Sequence, residues 1–169
     1  VGAAHQHSSS FGPHTMTDIV DQATRSRMMS SIKGKNTKPE MAVRRWLHAQ
    51  GYRYRLHRKD LPGKPDLVLP KYNLVIFVNG CFWHQHPGCH YAYTPASNNE
   101  KWKAKLEGNR QRDQIQQQQL LDMGWRVLII WECGLKHSQD TAAEIKALIS
   151  GQLNIAEWPD KPPRTDGVT

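Results

Sequence analysis

The chain has no apolar run near the roughly 18 residues a membrane span needs. Nor does it open with the basic start and apolar core of a secretory signal. It has only three cysteines, Cys81, Cys89 and Cys133. A small odd number argues against a disulfide framework and leaves metal ligation open. It is also short of acid: 15 Asp and Glu against 23 Lys and Arg, a net charge of +8 over 169 residues. The basic residues are spread along the chain rather than gathered in one tail. That pattern points to a folded domain with a basic face, whose usual partner is nucleic acid. The plain alternative is a mildly basic soluble protein without such a partner. The expectation is a soluble, cytoplasmic protein with no membrane partner.

What is present divides the chain. Residues 1–15, "VGAAHQHSSSFGPHT", are small and polar, and are expected to be a disordered leader or expression tag. The folded domain is expected over 16–155, and a flexible Pro-rich tail over 156–169. "DQATRSRMMSSIKGKNT" predicts a short basic helix ending near Gly34. In "NTKPEMAVRRWLHAQG", Thr37 is a cap, Glu40 stands three residues on as in a capping box, and Gly51 stops the helix. "YRYRLH" alternates as a strand does; "DLVLP" and "NLVIFVNG" read as adjacent strands. A long polar helix follows, closed by Gly124. "WRVLIIWE" is a strand buried on both faces, and "DTAAEIKALISGQL" a final helix. The order predicts one α/β domain with a central mixed β-sheet and helices on its faces. Trp46, Trp125 and Trp131 are expected in its core.

The densest chemistry lies in "NGCFWHQHPGCHY", Asn79 to Tyr91. Cys81, His86 and Cys89 are spaced C-x4-H-x2-C, and Cys133 follows the buried strand. Two thiolates and an imidazole on one loop, closed by a distant thiolate, suit a closed, structural tetrahedral zinc. The alternative is that Cys133 is a buried core thiol with Cys81 and Cys89 incidental, and His84 or His90 could replace His86 as a ligand. If His86 is the ligand, His84 is a free imidazole suited to act as general base; the alternative is a solvated loop histidine.

Three carboxylates stand out by position. Asp66 opens a strand, where Asp is disfavoured, and Pro65 is expected to hold the preceding backbone extended. If this strand pairs antiparallel with the next, the carboxylate meets a backbone carbonyl, and both are hard oxygen donors suited to Mg²⁺. Glu40 falls on one stripe with Val43 and Leu47, and Asp113 on one with Leu106, Leu120, Trp102 and Asn109. A carboxylate on such a face needs a partner or a metal. The alternatives are a helix cap for Glu40 and a pair with Arg110 or Arg112 for Asp113.

Together "ATRSRMMSSI", "PGKPDLV", "VIFVNGCFWHQH", "GWRVLIIWEC" and the Cys81/His86/Cys89/Cys133 set resemble the very short patch repair (Vsr) endonuclease family, from about Thr17 to Lys136. The resemblance implies a restriction-endonuclease-like fold with a structural zinc. It implies Mg²⁺-dependent nicking of one strand of duplex DNA, 5′ to the thymine of a T:G mismatch left by deamination of 5-methylcytosine. Asp66 would be the catalytic metal-binding aspartate, the Val78 carbonyl a further magnesium ligand and His84 the catalytic histidine. Glu40 and Asp113 would be supporting acids. Phe82, Trp83 and Trp102 would wedge into the DNA beside the mismatch. Arg25, Arg27 and Lys33 are expected to grip phosphates, whereas ordinary core packing is the alternative for Phe82 and Trp83. Asn79 stands where the family often has histidine, and asparagine cannot titrate near pH 7. The implied protein is a monomer in a bacterial-type cytoplasm, near the nucleoid, working beside other mismatch-repair proteins. The alternatives are a same-fold nuclease with relaxed or restriction-type specificity, and a zinc-stabilised DNA-binding module without catalysis.

Overall fold

The computed structural model describes residues 36–163. Arg25, Arg27 and Lys33, with the basic helix predicted around them, lie outside the described residues. Helix α1, Lys38–Ala49, starts as its sequence predicts: the Thr37 hydroxyl accepts the Glu40 N–H at 3.4 Å, and Pro39 sits in the first turn, where a missing N–H is tolerated. Val43 and Leu47 are its buried apolar stripe.

Four strands then build most of a sheet. Strand β1 is only Arg55–Leu56, shorter than the alternation of "YRYRLH" predicts. Strands β2, Leu67–Leu69, and β3, Leu74–Asn79, form a hairpin across a short 3-10 turn at Pro70–Tyr72. Asn73 closes that turn in the left-handed region at φ 53°, which asparagine tolerates better than most residues. Parallel pairing needs a crossover. A 24-residue helix, α2, Asn99–Asp122, supplies the one between β3 and β4, Arg126–Trp131.

Two elements were not expected. A short helix α3, Glu132–His137, follows β4 directly and carries Cys133. After helix α4, Thr141–Ser150, a fifth strand β5, Ile155–Trp158, adds parallel to β4. The tail expected to be flexible from Ala156 therefore begins as ordered sheet. Trp158 is 2% exposed and its Nε1–H donates to Glu144 Oε2 at 2.7 Å, which ties β5 to α4. Gly134 on α3 makes room for this: a methyl there would sit 2.5 Å from Pro159 and 2.6 Å from Trp158.

The sheet is mixed, in the order β1-β2-β3-β4-β5, with the first three strands antiparallel and the last three parallel. Because side chains alternate along a strand, its two faces form two cores. Leu67, Leu69, Leu74, Ile76, Leu128 and Ile130 pack with α1 and α4. Val68, Val75, Val127, Ile129 and Trp131 pack with Leu120 of α2 and with Cys81 and Cys133. Trp131 is in the core as expected, but Trp46 and Trp125 are only partly buried at its margin. Among the described residues no helix is long and apolar enough to cross a membrane.

Candidate active site and metal centre

The loop after β3 is pinned at its base by four side chains. One ligand atom each from Cys81, His86, Cys89 and Cys133 lies within 4.8 Å of the others. His86 Nδ1 is 3.4 Å from Cys133 Sγ and 3.8 Å from Cys81 Sγ. Ligands about 2.0–2.3 Å from a tetrahedral zinc lie roughly 3.5 Å apart, so the set fits such an ion. Burial raises the Cys81 thiol to about 11, raises that of Cys133 further, and lowers His86 to about 4. Without a cation these thiols keep their protons; a metal must displace them. His86 also stacks on Trp131, with centroids 4.2 Å apart, which fixes the ring's orientation. Of the two rival histidines, His90 is exposed against Tyr91, and His84 points elsewhere.

His84 belongs to a second assembly. Its Nδ1 lies 2.6 Å from Asp113 Oδ2, and both side chains are partly exposed. The expected alternative for Asp113, an ion pair with Arg110 or Arg112, is not what forms: Arg112 bonds Asn109 and the Gly108 carbonyl instead. One stripe of α2 thus grips the loop twice, since Asn109 Nδ2 also donates to the Trp83 carbonyl at 3.1 Å. With the aspartate holding Nδ1–H, Nε2 is the basic nitrogen of His84.

Asp66 immediately precedes β2. The backbone before Pro65 is not extended as expected: Lys64 has φ 47° and closes a tight turn by donating its N–H to the Leu61 carbonyl. Turn closure overrides the usual pre-proline preference. Antiparallel pairing of β2 and β3 does bring Asp66 to Val78, and the Val78 N–H donates to Asp66 Oδ2 at 2.8 Å. In an extended strand the N–H and C=O of one residue face the same edge, so the Val78 carbonyl faces this edge too. Burial raises the Asp66 carboxyl from 3.8 to about 6. The Val78 N–H opposes this, Glu40 adds to it, and His57 and His84 lower it. Asp66 is thus a desolvated acid whose ionised form would be favoured by a cation, and hard oxygens around it suit a divalent metal.

Glu40 is 2% exposed and both of its oxygens are engaged. Oε2 accepts the Asn36 N–H at 2.9 Å, a cap one residue before the usual position, and Oε1 lies 2.5 Å from His57 Nε2. Glu40, His57 and Asp66 form a second group whose ligand atoms lie within 4.8 Å of one another. His57 was missed from the sequence. The signal was present: a hairpin pairing "RLH" with "DLV" sets His57 opposite Asp66. Asn79 is 5% exposed at the end of β3, opposite Trp131 of β4.

The aromatic side chains gather beyond the loop. Phe82 contacts Trp83 and Trp102 with centroids 5.0 and 5.5 Å apart, and the two tryptophans stand 6.0 Å apart. All three are partly exposed rather than core residues. Two neighbours were not anticipated. Tyr93, 62% exposed, leans on Phe82, and Lys105 Nζ lies over both indoles at 5.6 and 5.8 Å.

Comparison with known proteins adds an independent line. A family model described as DNA mismatch endonuclease Vsr matches residues 17–90. The chain is 46% identical over 134 residues to the Type II nicking enzyme V.XorIIP of Xanthomonas oryzae pv. oryzae, covering 79% of this chain and 98% of that one. It is 41% identical over 134 residues to the Type II nicking enzyme V.NmeAIP of Neisseria meningitidis serogroup A, covering 79% and 95%. It is 42% identical over 121 residues to the DNA mismatch endonuclease Vsr of Escherichia coli K12, covering 72% and 77%.

Proposed function

The chain belongs to the Vsr family of DNA endonucleases, and from that premise we propose that it nicks one strand of a duplex 5′ to the thymine of a T:G mismatch, with Mg²⁺ at Asp66. The observation that carries the reading is the meeting, at one end of the sheet, of a desolvated Asp66 and the Val78 backbone, next to the loop whose His84 is held by Asp113. A DNA-binding module without catalysis has no use for that combination.

Each residue then has a task. A phosphodiester is a poor electrophile because its negative charge repels an anionic nucleophile; a bound divalent cation offsets that charge and stabilises the leaving oxygen. Asp66 and the Val78 carbonyl would hold the cation. Asp113 fixes the His84 ring so that Nε2 accepts the proton of the attacking water. Glu40, packed beside Asp66, supports the same centre. Cys81, His86, Cys89 and Cys133 hold a structural zinc that sets the loop bearing His84. Phe82, Trp83 and Trp102 offer ring faces to unstacked bases, and a mismatched step costs less to open than a matched one. Arg25, Arg27 and Lys33 supply phosphate contacts. Asn79 is 5% exposed, and its amide can donate and accept hydrogen bonds but does not transfer a proton near pH 7.

A second reading, a nicking enzyme with relaxed mismatch preference, is favoured by the names of the two relatives that say nicking without saying mismatch. A panel of duplex oligonucleotides carrying each mismatch, with and without Mg²⁺, separates the two. Cutting confined to T:G supports the first. Equal cutting of paired and T:G duplexes rejects it, and tight binding with no cutting of any duplex would make the protein a binding module.

A further inference from the structure

His57 is drawn into the site by register. Strand β1 pairs with β2 through Arg55↔Val68 and Leu56↔Leu67, so the next pair is His57 with Asp66, and the His57 N–H donates to the Asp66 carbonyl at 3.2 Å. Side chains directly opposite in an antiparallel pair share a face. The strand stops there because His57 takes a left-handed conformation at φ 45°. Its ring then reaches across to α1, where Nε2 sits 2.5 Å from Glu40 Oε1.

Glu40, buried, and Asp66, partly buried, bring carboxylate oxygens within 4.8 Å of each other, and alone they would repel. An ionised carboxylate only accepts hydrogen bonds, so the ring nitrogen facing Glu40 is the one that carries the proton. Glu40 is thereby held from both sides, by the Asn36 N–H on one oxygen and by His57 on the other. Its freedom to swing away from Asp66 is gone before any cation arrives.

We propose that His57 is a positioning residue of the metal centre: its Nε2–H holds the Glu40 carboxylate facing Asp66, so that a divalent cation meets a preformed pair of acids. This rests on the reading that Asp66 binds the cation. Partners that orient metal-binding groups are worth about 10–100-fold in metal affinity.

The test is Mn²⁺ binding to the full zinc-loaded chain, followed by calorimetry. His57→Ala weakens Mn²⁺ binding by at least about tenfold. His57→Gln, whose amide N–H still reaches Glu40, recovers binding to within about threefold of the original, and His57→Asn, too short to reach, does not. In nicking assays the Mg²⁺ concentration for half-maximal rate rises in His57→Ala and His57→Asn, while the rate at saturating Mg²⁺ falls much less. A residue that merely ties α1 to β1 would not move that ratio. If His57→Ala does not fold, the Asn and Gln variants carry the comparison. Unchanged affinity in the Ala and Asn variants overturns the proposal. So does a Gln variant as weak as Ala, which would make the ring nitrogen a ligand rather than a donor. Asp66→Ala is the control: if it binds Mn²⁺ like the original chain, the reading of the centre itself fails, whatever His57 does. If it loses binding while His57→Ala keeps it, only the role of His57 fails.

Discussion

Among the described residues two clusters of side chains could hold a metal, and they differ in donor type and in exposure. Cys81, His86, Cys89 and Cys133 are soft donors whose ligand atoms close on one another, with three of the four residues buried. Glu40, His57 and Asp66 are dominated by hard oxygen, and two of the three are partly exposed. The first cluster has four protein donors and no open position, which suits a structural ion. The second offers three donors, so a divalent ion there would complete its shell with solvent or phosphate oxygens. In the function proposed above the first cluster holds the loop in place and the second acts on the substrate, and substitutions should separate in the same way.

The largest effect should come from the closed cluster. Cys133→Ser, or chelation of zinc, costs on the order of 5 kcal/mol or more of stability, since structural zinc contributes about 10–16 kcal/mol in small zinc domains. Thermal melting with zinc content measured in parallel checks it. Nicking is lost with the fold. A Cys133→Ser protein that melts like the original would break the comparison from the structural side.

Next come His84, the proposed general base, and Asp113, which holds its ring. His84→Ala should lower the nicking rate by about 10²–10⁴-fold, the usual worth of a general base, with melting and zinc content kept. Asp113→Asn should cost less, because the imidazole remains but its ring is no longer held by a carboxylate. Single-turnover nicking of both variants ranks them.

Asp66 allows a sharper contrast, because its burial costs stability. Between pH 3.8 and about 6 the unfolded chain ionises this carboxyl while the folded, metal-free protein keeps its proton. Metal-free stability therefore falls as pH rises through that window and stays lower above it. Asp66→Asn removes the cost and should stabilise the metal-free protein at pH 7 by on the order of 2–3 kcal/mol. Adding Mn²⁺ should then raise the melting temperature of the original chain but not of the variant. The smallest effect is expected at Gly134→Ala, where crowding against Pro159 and Trp158 should destabilise by about 1–3 kcal/mol, read by denaturant unfolding. The neighbouring Cys133 should loosen with it.

Much of this was legible in the sequence because its signals are local. The Thr37 cap, the apolar run of β4 and the stripe of α2 are each set by neighbours within a few residues. The four zinc-type donors are also marked by residue type alone. Other features depend on contacts that no local pattern carries. Strand β5 is "IAEW", with Ile155 exposed and only Trp158 buried, so it lacks an apolar run and is stabilised by pairing with β4. Helix α3 has six residues, too few for a period to show. The partner of Asp113 is 29 residues away on the loop rather than on its own helix. His57 enters the site only once the register of a two-residue strand is known.

The most direct test of the division between the two clusters is a single preparation of Asp66→Asn, assayed for zinc content and for nicking of a T:G duplex in saturating Mg²⁺. The account predicts one zinc per chain in this variant and in the original protein alike, and a nicking rate lowered by at least about 10²-fold in the variant. Nicking at a rate near the original, or loss of the zinc along with the activity, would contradict it.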